Sequence, residues 1–452
     1  MGKFAEPEKI VLLALESHEH PMHLGVLQMF RPPAGAGPEY PRETYEAMRA
    51  CTDVARTFTG HPSPTRRGTS KVRWTYDSGI DIDYHWRYLR LPAPGDQHDF
   101  FDVLGELHSS ALDRRKPLWE GHLIDGLEDG RFAVYIKAHH ALADGTSGAN
   151  VIQGALSTDP QDTAVRVSWA PQPRRRPESA RRSRPKPAQP NGKFVQAARE
   201  LRRSIPLMRE LYRDRELVPA LRAPRTIFGT APGGPRRCAV RSWPLYRVTD
   251  VAKTAGVTVN DVALAMCAGA MRRYLSERNA LPDRPLVALA PVNIRDDEDA
   301  DAGNIIGGAV CTLATDLDDP AERLQTIHMS MRRNVQIIRQ LPRQVAIHLF
   351  GVLCAPISSD AGLSARVPPV FNVGISHMRG VETPLYRNGA RLEATYPLPP
   401  TLRGQTLNVG LFSSGETIDF GLVSSLRAVP DLENMLGYLE TALQDLEQAV
   451  GS

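Results

Sequence analysis

The sequence predicts an α/β protein built from two domains. The chain has 452 residues, which is more than a single hydrophobic core usually organises, so two domains are expected. Strand and helix patterns alternate both before and after a Pro- and Arg-rich stretch at residues 171–192. We therefore divide the chain into an N-terminal α/β domain (1–165), a linking segment (166–236) and a C-terminal α/β domain (237–452).

The N-terminal domain is expected to contain strands, a long helix and a β-hairpin. Strands are expected at residues 23–30, 71–76, 119–127 and 131–138, and a helix at residues 99–113. The last two strands are close enough in sequence to form a hairpin, with Asp129 and Gly130 in the connection. The second hairpin strand leads directly into His139 and His140.

The linking segment combines two different compositions. Residues 171–192 are dominated by Pro and Arg and contain little to bury, which predicts a solvated linker or mobile loop. A patch for nucleic acid or anionic lipid is the alternative. Residues 194–212 follow with an apolar stripe opposite several arginines, typical of a basic amphipathic helix that Pro206 would kink. This helix could lie on a membrane or pack on the protein as a connector.

The C-terminal domain repeats the alternation of strands and helices. Strands are expected at residues 284–295, 308–317, 370–376 and 406–425, and helices at 248–278, 320–341 and 430–450. Thr258 is the expected N-cap of the second half of the first helical segment.

Composition excludes several classes of protein. The chain is 42% hydrophobic and 23% charged, and its net charge of +4 gives no general attraction for nucleic acid. Five scattered cysteines indicate a reducing compartment rather than a disulfide framework. The apolar run near the N-terminus spans only about six residues, too few for a signal peptide or a membrane span. We expect a cytosolic protein whose membrane contact, if any, is peripheral.

The stretch YIKAHHALADGTSG, residues 135–148, holds the candidate chemistry. Adjacent residues of a strand point to opposite faces, so His139 and His140 cannot both bind one metal ion, and no metal site is expected. One imidazole could act as a general base, with Asp144 fixing its tautomer or the following loop. Gly145 and Gly148 would let backbone and substrate approach closely. The alternative is a strand end with one packed and one solvated histidine.

The segment HHALADG fits the pattern HHxxxDG and resembles the active-site signature of the CoA-dependent acyltransferase superfamily. That superfamily includes chloramphenicol acetyltransferase, plant acyltransferases and condensation domains of peptide synthetases. Further motifs follow in order: PLWEGHLIDGL at 117–127, NDVALAMCAGAMRRYL at 260–275, PVNIR at 291–295, GNIIGG at 303–308 and PDLENML at 430–436. As a set they resemble the bacterial wax ester synthase/acyl-CoA:diacylglycerol acyltransferase family over almost the whole chain.

The resemblance implies a fold and a reaction. It implies two chloramphenicol-acetyltransferase-like α/β domains, each on a mixed sheet, with a substrate tunnel between them. The implied reaction moves a long-chain acyl group from acyl-CoA to diacylglycerol, giving triacylglycerol, or to a long-chain alcohol, giving a wax ester. The acyl-CoA is a substrate, and no cofactor is implied. The protein is expected to work at a membrane or lipid-droplet surface, without nucleic acid.

The resemblance also implies roles for individual residues. His140 is the expected general base, and Asp144 is its structural partner, expected to pair with an arginine for which Arg295 is the candidate. His139 and Gly145 are expected to support the site.

Further motif residues match the family outside the histidine pair: Pro117, Leu118, Trp119, Asn260, Asp261 and Ser376. Trp119 is expected to pack near the site, and Asn260 with Asp261 to hold a helix start. Residues 375–386 depart from the family's Ser-Asn-Val-Pro-Gly-Pro turn, although Ser376 and Gly380 match it. This segment is expected in the second domain, lining the channel for the acceptor.

Two other functions remain open at the level of sequence. One is an acyl-carrier-dependent condensation-type transferase, which shares the histidine motif. The other is a low-activity or non-catalytic lipid-binding relative that uses the channel and the basic helix without turnover.

Overall fold

The computed structural model describes residues 3–4, 9, 12–13, 16–17, 20–63, 72–142, 153–171, 223–229, 234–293, 306–341, 345, 369–401 and 404–451. The predicted linker after residue 171 and the basic amphipathic helix at 194–212 lie outside the described residues, and both stay predictions.

The described part alternates strands and helices, as the sequence predicts. Its strands are β1 (Lys3–Phe4), β2 (His23–Arg31), β3 (Gly60–Ser63), β4 (Arg73–Tyr76), β5 (Trp86–Arg90), β6 (Trp119–Asp125), β7 (Phe132–His139), β8 (Arg236–Pro244), β9 (Val287–Asn293), β10 (Ile306–Thr312), β11 (Val373–Arg379), β12 (Tyr386–Arg387), β13 (Ala390–Leu398), β14 (Leu407–Ser414) and β15 (Thr417–Ser425). Its helices are α1 (Tyr40–Arg49), α2 (Ile82–His85), α3 (Gln97–Ser109), α4 (Leu245–Ala255), α5 (Val259–Ser276), α6 (Pro320–Gln340) and α7 (Asn434–Val450).

The chain forms two compact units that are interleaved in sequence. The first contains residues 1–172, 230–247 and 376–437, and the second contains 173–229, 248–375 and 438–452. These units do not coincide with the linear segments 1–165, 166–236 and 237–452. The reason is strand exchange, because β12 and β13 from the C-terminal half join the sheet of β2 and β7.

The first unit contains a six-stranded mixed sheet in the order β12-β13-β2-β7-β6-β5. Strands β6 and β7 form the predicted antiparallel hairpin, and β5 pairs parallel with β6. One face of β7 carries Val134 and Ile136 into an aromatic-rich core. The opposite face carries Tyr135 and Lys137 toward α3, where Gly25 of β2 leaves room for the ring of Tyr135. Both faces are covered, so the central strands are buried along almost their full length.

The first unit also contains the antiparallel strands β8, β15 and β14. Strands β14 and β15 are joined at Gly415, whose φ of +56° suits the predicted Ser-Gly turn. In the second unit, β9 pairs antiparallel with β10 and parallel with the beginning of β11. Both units are therefore α/β with mixed strand directions, which confirms the predicted fold class.

Helices α5 and α6 dominate the second unit. The predicted N-cap of α5 is confirmed, because the side chain of Thr258 accepts a hydrogen bond from the backbone N–H of Asp261. Helix α6 begins at Pro320 behind the N-cap Asp319, and it packs on β10 and α5. Within the described ranges no single helix has the length and apolar composition needed to cross a membrane, and α4 with α5 meets that test only as a pair bent by 103°.

Candidate active site

The two adjacent histidines lie at the end of β7 in different environments. His139 is completely buried, while His140 follows in the turn and is half-buried. The backbone N–H of His140 donates to Met22 O at 2.8 Å, and the N–H of Leu142 donates to His139 O at 2.8 Å. The chain therefore leaves the strand in a fixed turn, and of the two residues only His140 is partly exposed.

The ring of His139 is held from both sides. Its Nδ1 accepts a hydrogen bond from the backbone N–H of Ala141 at 3.0 Å, which leaves Nε2 as the protonated nitrogen of the neutral ring. That Nε2 lies 3.5 Å from Oε1 of Glu16. Burial raises the pKa of Glu16, but its contacts with His139 and Arg114 outweigh burial and lower it overall. These contacts suit the supporting role predicted for His139.

The PLW motif packs directly beside the histidines. The backbone N–H of His139 donates to Leu118 O at 2.9 Å. The indole Nε1 of Trp119 donates to Phe58 O at 2.8 Å, and its ring stacks on His85 at a centroid distance of 4.6 Å. Pro117, Leu118 and Trp119 are all buried. Trp119 therefore packs in the aromatic core of the first unit, and its place beside a catalytic site stays a prediction.

Sequence reasoning missed a buried ionic group on the same strand. Lys137 is fully buried, and its Nζ donates to Leu107 O at 2.9 Å and to Ser110 O at 2.7 Å, at the carboxyl end of α3. The carboxylate of Glu120 lies 3.4 Å away, and burial lowers the pKa of Lys137. A lysine inside the otherwise apolar run before the histidines was the available signal, since a charge at a core position needs partners.

Asn260 and Asp261 lie in the second unit, at the beginning of α5. The carboxylate of Asp261 accepts hydrogen bonds from the N–H and the hydroxyl of Thr258, at 3.0 and 2.7 Å. It also lies 2.8 Å from Nδ1 of His328 on α6. These contacts agree with the structural role predicted for this motif.

The segment that departs from the family's turn belongs to the first unit, so its predicted place in the second domain is wrong. Ser376 begins the part of the chain that returns to the first unit, because β12 and β13 pair there. His377 replaces the expected Asn, and its Nε2 lies 3.0 Å from the hydroxyl of Ser413. Burial and the nearby charge of Arg379 lower the pKa of His377 to about 4.

This segment also approaches the elements around His140. A Cβ atom at Gly380 would lie 2.9 Å from the side-chain amide of Gln153, a residue just after the histidine motif. Val381, Ala138 and Leu142 pack against the same aromatic core. Residues 376–386 and the end of β7 therefore share one environment.

Three predicted site residues, Asp144, Gly145 and Arg295, lie outside the described residues, so the predicted pair of Asp144 with Arg295 stays a prediction. Among the residues that the structure describes, no three His, Cys, Asp or Glu side chains are grouped to hold a metal ion.

Comparison with known families gives two matches along the chain. Residues 7–263 match the model of the wax ester synthase/diacylglycerol acyltransferase catalytic domain, and residues 302–447 match the model of the C-terminal domain of the same proteins. The first match alone covers more than half of the chain.

Individual relatives are similar over nearly their full length. A probable diacylglycerol O-acyltransferase of Mycobacterium tuberculosis is 46% identical over 451 residues, with 98% of this chain and 99% of the relative aligned. An O-acyltransferase of Acinetobacter baylyi is 32% identical over 455 residues, covering 98% and 97%.

Solved structures show the same fold. The wax ester synthase/diacylglycerol acyltransferase of Marinobacter aquaeolei has a TM-score of 0.78 at 33% identity, with 100% of both chains covered. The first condensation domain of the calcium-dependent antibiotic synthetase has a TM-score of 0.61 at 16% identity, covering 100% of this chain and 96% of that one. The second likeness concerns the fold alone.

Proposed function

Because the chain belongs to the wax ester synthase/diacylglycerol acyltransferase family and is an acyltransferase, we propose that it transfers a long-chain acyl group from acyl-CoA to the hydroxyl of diacylglycerol, of a long-chain alcohol, or of both. The products are triacylglycerol and wax ester. Full-length similarity to proteins named diacylglycerol acyltransferase or wax ester synthase supports the proposal over a carrier-dependent condensation reaction, for which only the fold is similar.

The general base of the reaction is His140. The observation that carries this assignment is the contrast between the two imidazoles at the end of β7. His139 is fully buried, with Nδ1 bonded to the backbone and Nε2 directed at Glu16. His140 is half-buried, with its ring Nδ1 enclosed, on a backbone fixed by Met22. A base must reach the proton that it removes, and of the two residues only His140 is not fully buried.

The chemistry is a direct transfer with one tetrahedral intermediate. His140 takes the proton of the acceptor hydroxyl while the oxygen attacks the thioester carbonyl. The intermediate collapses, the C–S bond breaks, and the imidazolium returns its proton to the leaving CoA thiolate. No acyl-enzyme forms, so no Ser or Cys nucleophile is needed. Holding both substrates together supplies much of the acceleration.

The test is the activity of His140→Ala with palmitoyl-CoA and either dioleoylglycerol or hexadecanol. Removal of the base is expected to lower turnover by about 10²–10⁴-fold. The variant must keep the circular dichroism and melting temperature of the parent. Turnover at the parental rate in a folded variant would contradict the assignment of His140. Lipid bound to the parent without any ester product would instead favour a lipid-binding function.

We further propose that the reaction needs no cofactor or metal, and that the protein works in the cytoplasm against a membrane or lipid-droplet surface. Its acceptors are insoluble lipids, which supports a peripheral location. Activity unchanged by dialysis against EDTA is expected. Sedimentation with vesicles of phosphatidylglycerol and dioleoylglycerol is expected at low salt; protein left wholly in the supernatant would contradict the surface location.

A further inference from the structure

The carboxylate of Glu16 lies beside the ring of His139, the residue that precedes the proposed base His140. Its side chain is only 7% exposed. One oxygen, Oε2, accepts a hydrogen bond from Nε of Arg114 at 2.5 Å. The same guanidinium donates to Leu13 O at 2.7 Å. Arg114 therefore bonds both the side chain of Glu16 and the backbone three residues before it.

The other oxygen of Glu16 reaches the residue that precedes His140. Oε1 lies 3.5 Å from Nε2 of His139, at the far side of the ring from the hydrogen bond that Nδ1 accepts from Ala141. Because Nδ1 is an acceptor, the neutral ring must carry its proton on Nε2, and an acceptor at Glu16 favours this tautomer. Glu16 therefore acts through His139 on the residue that follows His140.

The same oxygen also reaches the backbone of His140 by a second route. The N–H of Met22 donates to Oε1 of Glu16 at 3.2 Å. The carbonyl of Met22 in turn accepts the N–H of His140 at 2.8 Å. Residues 139, 140 and 141 are thus all connected to one carboxylate.

We propose that Glu16 is a positioning residue for His140, fixing the tautomer of His139 and the backbone on both sides of the general base. This inference rests on the proposed function and deepens it, because it names the group that orients the base. Arg114 belongs to the same arrangement as the partner that keeps Glu16 in place.

Only a carboxylate satisfies this position. Two donors bond Glu16, the guanidinium on Oε2 and the Met22 N–H on Oε1, and the ring nitrogen Nε2 of His139 lies 3.5 Å from Oε1 without a hydrogen bond. A carboxylate offers acceptors on both oxygens, whereas an amide offers one acceptor and one donor. In either orientation, glutamine at residue 16 would direct its NH₂ group at another donor. To relieve that conflict, either Arg114 must move, or Met22 and His139 must move together with His140.

The test is the variant Glu16→Gln, with the buried Glu120→Gln as matched control. Glu120 also pairs with a group on β7, Lys137, and takes no part in the contacts that join Glu16 to residues 139–141. For Glu16→Gln we expect kcat to fall about 10-fold to 100-fold, the range usual for residues that orient a functional histidine. KM for palmitoyl-CoA should change by less than about twofold, since substrate binding is not altered. Glu120→Gln should lower the melting temperature and leave kcat within about twofold of the parent.

A second measurement does not depend on activity. The ¹⁵N spectrum of the His139 ring, assigned by its loss in His139→Asn, should show the proton on Nε2 in the parent. In Glu16→Gln the Nδ1-protonated form should appear. An unchanged tautomer together with a kcat equal to that of Glu120→Gln would overturn the proposal.

Two further outcomes separate the hypotheses. If Glu16→Gln fails to fold, Arg114→Gln is the alternative variant, because Arg114 is exposed and bonds Glu16. For Arg114→Gln we expect kcat to fall about 10-fold. An unchanged kcat would refute the role of Glu16. If His140→Ala keeps full turnover, the assignment of His140 as the general base fails, and the tautomer of His139 still decides whether Glu16 fixes this ring.

Discussion

At the scale of single residues, the beginning of α5 shows how one side chain can serve two purposes. Asp261 is buried and completes the capping box with Thr258, and its Oδ2 also accepts from His328 on a different helix. The cap was predictable because its residues are three positions apart in sequence. The contact with His328 was not, because those residues are 67 positions apart and nothing local relates them.

This arrangement predicts a graded loss of stability. Thr258→Ala removes the cap alone and should lower the free energy of unfolding by about 1 kcal/mol. Asp261→Ala keeps the backbone bond to Thr258 but removes the carboxylate half of the capping box and the buried partner of His328, and should lower it by about 3 kcal/mol. Asn260 is half-buried and outside the capping box, so Asn260→Ala should lower the free energy of unfolding by less than about 1 kcal/mol. Urea unfolding followed by circular dichroism measures all three. An equal effect of Asn260→Ala and Asp261→Ala would contradict the capping role.

The active-site histidines were predictable as a motif but not as an arrangement. That His139 and His140 differ in exposure follows from strand geometry and could be expected from the sequence. That Glu16 lies beside His139 could not be expected, since the two residues are far apart in sequence and no local pattern relates them. Lys137 was missed for the same reason, because its partners are carbonyl groups of α3 that the sequence does not mark.

At the scale of elements, the crossing strand β13 packs on the hairpin β14–β15 through two glycines. Gly410 and Gly421 are opposite each other in that hairpin. A Cβ atom at Gly410 would lie 2.6 Å from Pro397 O, and one at Gly421 would lie 2.1 Å from the same atom. The backbone of β13 can approach this closely only because both positions lack a side chain.

Gly421→Ala should therefore destabilise the first unit by about 3 kcal/mol, the upper range of overpacking. Gly79→Ala is the control, because nothing lies within 4 Å of its added Cβ and its effect should be below about 1 kcal/mol. All five tryptophans (Trp74, Trp86, Trp119, Trp169 and Trp243) belong to the first unit, so fluorescence during urea unfolding reports on that unit. Equal unfolding midpoints for the two variants would show that β13 can move away from the hairpin without cost.

Elements that form from neighbouring residues were predicted well. The hairpin β6–β7, the hairpin β14–β15 and the helices α3, α5 and α6 all lie where periodicity and capping residues place them. The pairing of β13 with β2 was not predicted, because it joins positions more than 350 residues apart. This pairing decides the division into units. Local patterns carry no information about which distant strand is the partner, and so a linear division into domains followed from them.

At the scale of the whole molecule, the first unit buries several histidines that act as neutral core residues. Burial lowers the pKa of His108 and of His122 to about 3 each, and lowers that of His23 well below its usual 6.5. His108 bonds the hydroxyl of Tyr135 through Nδ1, and its carbonyl accepts from the ring of His23. These rings pack α3 onto the sheet only while they are uncharged, because a buried charge without a partner is costly.

The folded protein should consequently lose stability steeply in mild acid. Below pH 6.5 the unfolded chain binds protons at His23, His108, His122 and His377, whereas these rings stay neutral in the fold, so the free energy of unfolding falls as pH falls toward about 4. Burial raises the pKa of Asp419 to about 6, so this group binds a proton in the fold first and offsets one of the four. The net difference of about three protons gives a loss of about 4 kcal/mol per pH unit near pH 5. Urea unfolding of the first unit, followed by tryptophan fluorescence from pH 7 to pH 4.5, measures this slope.

In His122→Phe the slope should fall by about 1.4 kcal/mol per pH unit. The slope is independent of any change in packing at neutral pH, and an unaltered slope would mean that His122 is charged in the fold.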